Sequence, residues 1–557
     1  MAVNNASPKR GKVVDIPGEN APTIGTATAN GAGKVSVAYT AGSTSAVGGP
    51  TFYYTAISNP GSITGSSSAS PITVSGLTNG TAYTFTVGAG NPTGAGAQST
   101  ASNSATPAQI GFLASITNNT VANKYVYGNS IVVDSSGNTY IAGRGYNSGT
   151  GWDAFVAKYD STGTNTWIRS YWDNATAASR TLSIDQQITV DSSGNVYCAS
   201  PYTNSSGRAT IFLIKYNTSG TYQWNKTFTN SVGVGSQYDT CRGLATDAAG
   251  NILMASDIKN ASAGLNQSII KVDNTGAFVW QRKLASGLAA ASQGDYTYNM
   301  LSDSSSNAYV MGYSYDGTNY GGTMSKYNSS GTIQWKRKFQ GAGSSTNAFI
   351  HGGGVDSSGN VYGIGEIRNA SNGTNVLIAK WDSTGALQWQ RQLADGLAAA
   401  SQSDYGNGGC VDSSGNVYVV GYYANSNNSG FIAKYNTSGT IQWQRKITHD
   451  TGTQDVQLSR VSTDSTNLFI SGSSAFGTAS AKYAFAMKVP CDGSGTGNFT
   501  LPSGEVGTYA VGTLTASTPT YTESAMVFTD SATTFTVGAG PLTDNATIFT
   551  TTTAVQI

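Results

Sequence analysis

The chain has 557 residues, sets 30 Lys and Arg against 29 Asp and Glu, and carries charge at only 11% of positions. That balance argues against a nucleic-acid binder, which needs a basic surface. No apolar run reaches the roughly eighteen residues that a membrane-spanning helix requires.

Residues 1–20 are polar and hold Pro8, Pro17 and the basic group Lys9, Arg10 and Lys12. They read as an extended arm, either a free tail or a peptide that orders on a partner. Met1–Lys12 lacks the apolar core of a signal peptide.

Residues 21–108 read as a separate β module. Ser70-Pro-Ile-Thr-Val-Ser-Gly-Leu-Thr-Asn-Gly-Thr-Ala-Tyr-Thr-Phe-Thr-Val87 alternates apolar and polar residues around a Gly-Leu-Thr-Asn-Gly corner. Leu77, Gly80 and Tyr83 resemble the Leu-x-x-Gly-x-x-Tyr corner of fibronectin type III domains. Val35-Ser-Val-Ala-Tyr39 and Phe52-Tyr-Tyr54 extend the likeness, with Tyr39 where that family usually has Trp. The resemblance implies a sandwich that acts as a spacer. It does not bring adhesive activity, because Arg-Gly-Asp is absent.

Residues 109–496 repeat one phrase. Its first half, Asp134-Ser-Ser-Gly-Asn-Thr-Tyr-Ile-Ala-Gly, recurs at Asp191, Asp247, Asp303, Asp356, Asp412 and Asp464, at intervals of 57, 56, 56, 53, 56 and 52 residues. Its second half, Ala157-Lys-Tyr-Asp-Ser-Thr-Gly-Thr-Asn-Thr-Trp167, returns its Trp at Trp224, Trp280, Trp335, Trp389 and Trp443. A fixed period of this length marks stacked or radial repeats. Each unit holds four short strand-like runs and two turns of hairpin chemistry. Seven such units predict a seven-bladed β-propeller. The last unit has no Trp strand, and Ile110–Ile116 overlays Ile441–Ile447. The strand at 110–116 is therefore expected to pair beside Phe485 and Met487 and close the ring. The phrase resembles the bacterial β-propeller repeat family, which implies a fold and hardly any function.

Residues 497–557 follow a Gly-rich hinge and contain Glu505, Glu523, Asp530 and Asp544 but no Lys, Arg or His. With few large apolar residues they read as a β-rich docking segment that packs on a neighbour or a partner chain. The expected fold class is thus all-β: a fibronectin type III-like sandwich, a seven-bladed propeller and a small C-terminal β region.

Catalytic constellations are scarce. His351 and His449 are the only histidines, and His-Glu-x-x-His is absent. Gly31-Ala-Gly-Lys34 runs into Val35 and fails as a phosphate loop. The Asp-Ser-Ser-Gly-Asn turns lack the ligand pattern of Ca²⁺ loops. The Trp-bearing half of the phrase also resembles the tryptophan-docking motif of quinoprotein dehydrogenase propellers, but no Cys-Cys pair accompanies it. It implies packing between blades. No catalytic residue, metal site or cofactor is expected.

Lys158, Lys215, Lys271, Lys326, Lys380, Lys434 and Lys488 occur once per unit and are expected to form a ring of contacts with the leading Asp residues. The four cysteines have no metal-type spacing and read as small buried side chains. Both short turns fall at one end of the blades, so the variable loops gather at the other. Those loops carry the candidate binding residues Tyr146, Trp152, Tyr171, Trp172, Tyr202, Tyr313, Tyr315, Tyr320, Tyr422 and Tyr423. Exposed Tyr and Trp stack on sugars or anchor proteins.

These features predict a non-enzymatic surface protein of a bacteriophage particle: a fibre, decoration or adhesin subunit present in many copies. It would attach to other virion proteins through either terminal segment and to a host surface glycan or protein through the loops. The alternatives are a secreted or cell-surface bacterial adhesin and, last, a propeller enzyme.

Overall fold

The Asp-led turns define the repeating unit. At Asp412 one carboxylate oxygen accepts the N–H groups of Ser414 and Asn416 at 3.0 and 2.9 Å. The other accepts Asn416 Nδ2 at 2.8 Å and the Tyr418 hydroxyl at 2.9 Å. Gly415 takes a φ of 78°, which glycine adopts without strain. Asp134, Asp191, Asp303 and Asp356 repeat the same carboxylate–Asn–Tyr arrangement.

The computed structural model describes residues 20–29, 33–42, 53–78, 81–91, 94–107, 113–118, 125–147, 151–172, 186–203, 209–230, 239–259, 264–285, 294–315, 317–341, 347–368, 373–394, 403–424, 428–449, 455–474, 483–494, 497–500, 506–511, 515–517, 521–525, 529–531, 535–539, 543–545 and 549–554. All regular elements among them are β-strands. Two units are distinct, residues 1–109 and residues 110–556. The N-terminal arm at 1–19 lies outside the described residues.

In the first unit, strands Thr23–Ala29, Lys34–Thr40 and Ile72–Ser75 form one sheet. Thr64–Ser67, Tyr53–Asn59, Thr84–Asn91 and Gly94–Gln98 form a second. Val35, Val37, Ile72, Val74, Phe85 and Val87 fill the core. Tyr39 packs against Tyr54 with ring centroids 4.5 Å apart. The Tyr83 hydroxyl folds back to accept the Thr78 N–H at 3.0 Å.

In the second unit each turn joins an inner strand to the next. Ser403–Val411, Val417–Ala424, Asn428–Tyr435 and Ile441–His449 follow one another as antiparallel neighbours from inside to outside. The same order recurs in the sheets whose inner strands are Val126–Val133, Gln187–Val190, Thr240–Thr246, Asp295–Ser302 and Ala348–Val355. The sheet of Val456–Thr463, Asn467–Ser474 and Tyr483–Pro490 takes its outer strand from far upstream. Leu113–Ile116 pairs there with Ala484–Met487, while residues 110–112 lie outside the described residues. Inner strands neighbour one another in sequence order, and Val456–Thr463 returns beside Val126–Val133. The unit is a propeller-like arrangement of small antiparallel sheets.

Neighbouring sheets are joined by a recurring clasp. The Trp280 indole N–H donates to the Ser329 carbonyl of the next sheet at 3.0 Å, and Arg282 Nε donates to the Gly331 carbonyl at 2.7 Å. A β-carbon on Gly331, whose φ is 79°, would stand 2.8 Å from the Trp280 ring. Glycine is therefore required for the indole to lie on the turn.

The repeated lysines do not form the expected ring of contacts with Asp. Each reaches a carbonyl of the following turn: Lys158 to Thr218, Lys215 to Asn274, Lys271 to Ser329, Lys326 to Ser383, Lys380 to Thr437 and Lys434 to Cys491. Lys488 then returns to Ser161. Lys271 also meets Asp247 at 2.7 Å, and Lys380 lies 3.9 Å from Asp356. A flexible four-carbon stem spans the gap between sheets more readily than it turns back within its own.

The C-terminal strands do not stand apart. Val506–Val511 adds to the outer edge of Ile441–His449, Thr515–Ser517 to Leu387–Ala394, and Tyr521–Ala525 to Ile333–Gly341. Thr529–Ser531 adds to Phe278–Ala285, Phe535–Ala539 to Tyr222–Asn230, and Thr543–Asn545 to Asn165–Trp172. Phe549–Ala554 ends on Leu113–Asn118. This segment, which the sequence assigns to docking, pairs with the chain's own sheets in reverse order.

Candidate functional site

Most of the sheets carry a one-residue bulge in the inner strand, near the end away from the Asp turn. The register skips Asn129, Arg242, Tyr298, His351, Asn407 and Ser459. A bulge leaves its extra residue unpaired and re-aims the side chain. Each of these residues stands five before the leading Asp of its unit, and Gln186 holds that position in the unit of Asp191. The turn Asp, the Lys and the clasp recur almost unchanged between units, because each instance does the same packing work. The bulge position is polar in every unit and differs among them.

Three of these residues meet beside acidic and cationic neighbours. The Tyr298 and His351 rings lie 4.4 Å apart, and the Arg242 guanidinium lies 5.4 Å from the Tyr298 ring centre. His351 Nε2 stands 3.9 Å from Glu366 Oε1. Neither His351 Nε2 nor Glu366 Oε2 has a hydrogen-bond partner among the described residues. Burial, reinforced by the positive charges of Arg460 and Arg242, pushes the His351 pKa down to about 3. Burial pushes Glu366 up to about 7. Near neutral pH the imidazole is uncharged and the carboxyl is divided between its two forms.

Asp257 is differently placed. Burial raises its pKa to about 6, against the pull of Arg242, whose Nε lies 3.2 Å away. Its oxygens accept the Thr297 N–H and hydroxyl, the latter at 2.8 Å, and the Thr240 hydroxyl at 2.9 Å. These contacts commit Asp257 to holding Arg242 in place.

Aromatic pairs flank the cluster. Tyr296 stacks on Tyr313 at 4.7 Å, and Tyr405 stacks on Tyr422 at 4.8 Å. Tyr320 joins Tyr313 at 5.4 Å and Tyr315 at 5.0 Å. Four of the aromatic residues singled out in the sequence, Tyr313, Tyr315, Tyr320 and Tyr422, therefore lie beside this cluster. Tyr146 and Trp152 meet each other elsewhere, at 5.5 Å, with Arg144 over the Trp ring at 4.3 Å.

Tyr171 and Tyr423 are buried and belong to the core, contrary to expectation. Adjacent strand residues point to opposite faces, so Tyr422 and Tyr423 cannot both reach the surface. Trp172 and Tyr202 lie on strands whose side chains at those positions fall outside the described residues. Sequence reasoning missed Arg242, Tyr298, His351, Glu366 and Arg460. The available signal was the variable polar residue five before each Asp.

A groove of about 820 Å³ lies between two sheets at the turn end, lined by Lys380, Trp389, Arg391 and Thr437. It is the space around an inter-sheet clasp and holds no acid–base pair. Among the described residues no cluster of His, Cys, Asp and Glu fits a metal ion.

Residues 108–149 match the β-propeller repeat family model. No curated protein matches the chain. Among solved structures, a Bacillus licheniformis rhamnogalacturonan lyase is 12% identical, covering 84% of this chain and 90% of its own, with a TM-score of 0.32. Polysaccharide lyase Uly1 is 10% identical over 66% and 90%, with a TM-score of 0.39. Trypanosoma rangeli sialidase is 9% identical over 65% and 55%, with a TM-score of 0.31. These similarities are of architecture and assign no activity. The expectation of a non-enzymatic bacteriophage surface protein is corrected to this extent: these three similar structures are two polysaccharide-acting lyases and a sialidase, and none is a bacteriophage protein.

Proposed function

We propose that the mouth formed by the inner-strand bulges binds an acidic saccharide and removes a proton adjacent to its carboxylate, as in β-elimination. The carrying observation is the varied polar position that brings Arg242, Tyr298 and His351 together in an otherwise repetitive frame. Arg242 and Arg460 supply positive charge for a uronate carboxylate. The stacked tyrosine pairs supply flat faces for sugar rings. Tyr298 and the neutral His351 behind it are the groups placed to move a proton, and Glu366 is the next group along.

Hydrolysis by a pair of carboxyl groups fits less well. That chemistry needs two available acids across the glycosidic bond, and Asp257 is occupied by Arg242 and the two threonines. In elimination, loss of the proton α to the carboxylate forms a double bond to the neighbouring carbon. The glycosidic oxygen on that carbon departs and takes up a proton.

The frame around this site is read as a seven-bladed propeller over residues 109–496. It is preceded at 21–108 by a fibronectin type III-like module, supported by the sheet arrangement and the Tyr83 corner. Calorimetric titration with uronate-bearing and neutral oligosaccharides tests the binding. The acidic ligand is expected to bind at least about tenfold more tightly than its neutral counterpart, a preference that Arg460→Gln reduces. Equal affinity for the two, or an unchanged preference in the variant, removes the arginines from the site.

A further inference from the structure

An outer strand with an open edge is a template for pairing with another chain. In this protein each such edge is taken by one short piece of residues 506–554, always antiparallel, in registers of three to six residue pairs. At three of the seven edges, those of Glu523, Asp530 and Asp544, an acid-bearing piece lies on a strand that carries Lys or Arg; the strand Leu113–Asn118 and its partner Phe549–Ala554 are uncharged. Residues 497–557 contain acids and no basic residue. The outer strands Asn165–Trp172, Tyr222–Asn230, Phe278–Ala285, Ile333–Gly341, Leu387–Ala394 and Ile441–His449 each contain Lys or Arg and no Asp or Glu.

Main-chain hydrogen bonds of this kind supply affinity whatever the side chains, so selectivity falls to the side chains, and the charged pairs are the part of it that a substitution can test. Each contact is short, so the segment holds through the sum of many weak attachments.

We propose that the outer edges form a strand-acceptor surface for an acidic, extended segment. The chain's own C-terminus occupies it as a belt, and the C-terminal segment of a second copy can take its place. The proposal rests on the ring of sheets and is independent of the saccharide site.

The test uses the full-length protein with a protease site inserted in the Asp492–Gly497 hinge. After cleavage at low salt, the segment is expected to co-elute with the ring on gel filtration. It should exchange with a fluorescent segment cut from a second preparation. It should be released by high salt, or by the triple variant Glu523→Lys, Asp530→Lys, Asp544→Lys. A segment that separates at low salt from an unchanged monomeric ring overturns the proposal. So does retention that the charge reversals do not weaken, or failure of the labelled segment to exchange. Should the hinge resist protease, hydrogen exchange on the uncleaved triple variant decides. Amides of Ile333–Gly341 are expected to exchange about threefold faster than in the wild type, as loss of roughly 0.7 kcal/mol of charge attraction implies. An unchanged rate contradicts the proposal.

Discussion

Replacing Trp280 with Ala is expected to lower stability by about 3–5 kcal/mol, the range for truncating a buried Trp. The ring is 8% exposed and packs among Leu253, Ala255, Ile269, Met300 and Val310. Its N–H satisfies the Ser329 carbonyl of the next sheet, and its face covers the Gly331 turn. Truncation opens a cavity at a junction between sheets, where neither rigid sheet can collapse into the gap. Lys271 shares the Ser329 carbonyl at 3.1 Å, so that acceptor keeps one partner. Most of the loss is therefore packing. Denaturant titration measures it, and a loss below about 1 kcal/mol would show that the clasp does not hold the sheets together.

Glu366→Gln is expected to remove a pH dependence worth about 3 kcal/mol. The folded-state pKa of Glu366 is about 7, above the ordinary 4.5, because burial disfavours the charged form. Between those values the folded chain holds the proton more tightly than the unfolded chain does. The contribution is complete below pH 4.5 and is lost as pH rises through 7. His351 has the opposite sign. Its folded pKa of about 3 lies below the ordinary 6.5, so its contribution is present above pH 6.5 and lost as pH falls toward 3. Denaturation curves from pH 3 to 9 should show Glu366→Gln gaining on the wild type on the alkaline side. His351→Gln should gain only on the acid side. Parallel curves for wild type and Glu366→Gln would mean that Glu366 is solvated and charged in the folded state.

The frame was legible because its determinants are local. An Asp that accepts backbone N–H groups two and four residues on, a Gly at positive φ and a Trp facing the next turn all leave residue-level marks. The strand carried at the N-terminus was legible for a related reason, since the last unit lacks its outer Trp strand. What failed was non-local. The partner of each Lys lies some 57–60 residues ahead in the next sheet, except Lys488, which returns to the start.

The aromatic residues of the variable loops include the tyrosines beside the cluster, but also Tyr171 and Tyr423, which strand alternation turns into the core. The site itself was hidden because a bulge is a matter of register, and one polar residue in a small-residue strand looks unremarkable alone. The C-terminal segment was legible as β-rich, acidic and in need of a neighbour, but its pairing partners were not, because edge pairing runs through the backbone.

The most direct test of the central reading is turnover on a panel of uronate-bearing and neutral polysaccharides, followed through the ultraviolet absorbance of an unsaturated uronate product. The account predicts product from an acidic polymer only. It also predicts a loss of about 100-fold or more in Tyr298→Phe with ligand binding retained, as removal of a proton-transfer group entails. Turnover unaffected by Tyr298→Phe, or no acidic polysaccharide bound above the neutral controls, would contradict it.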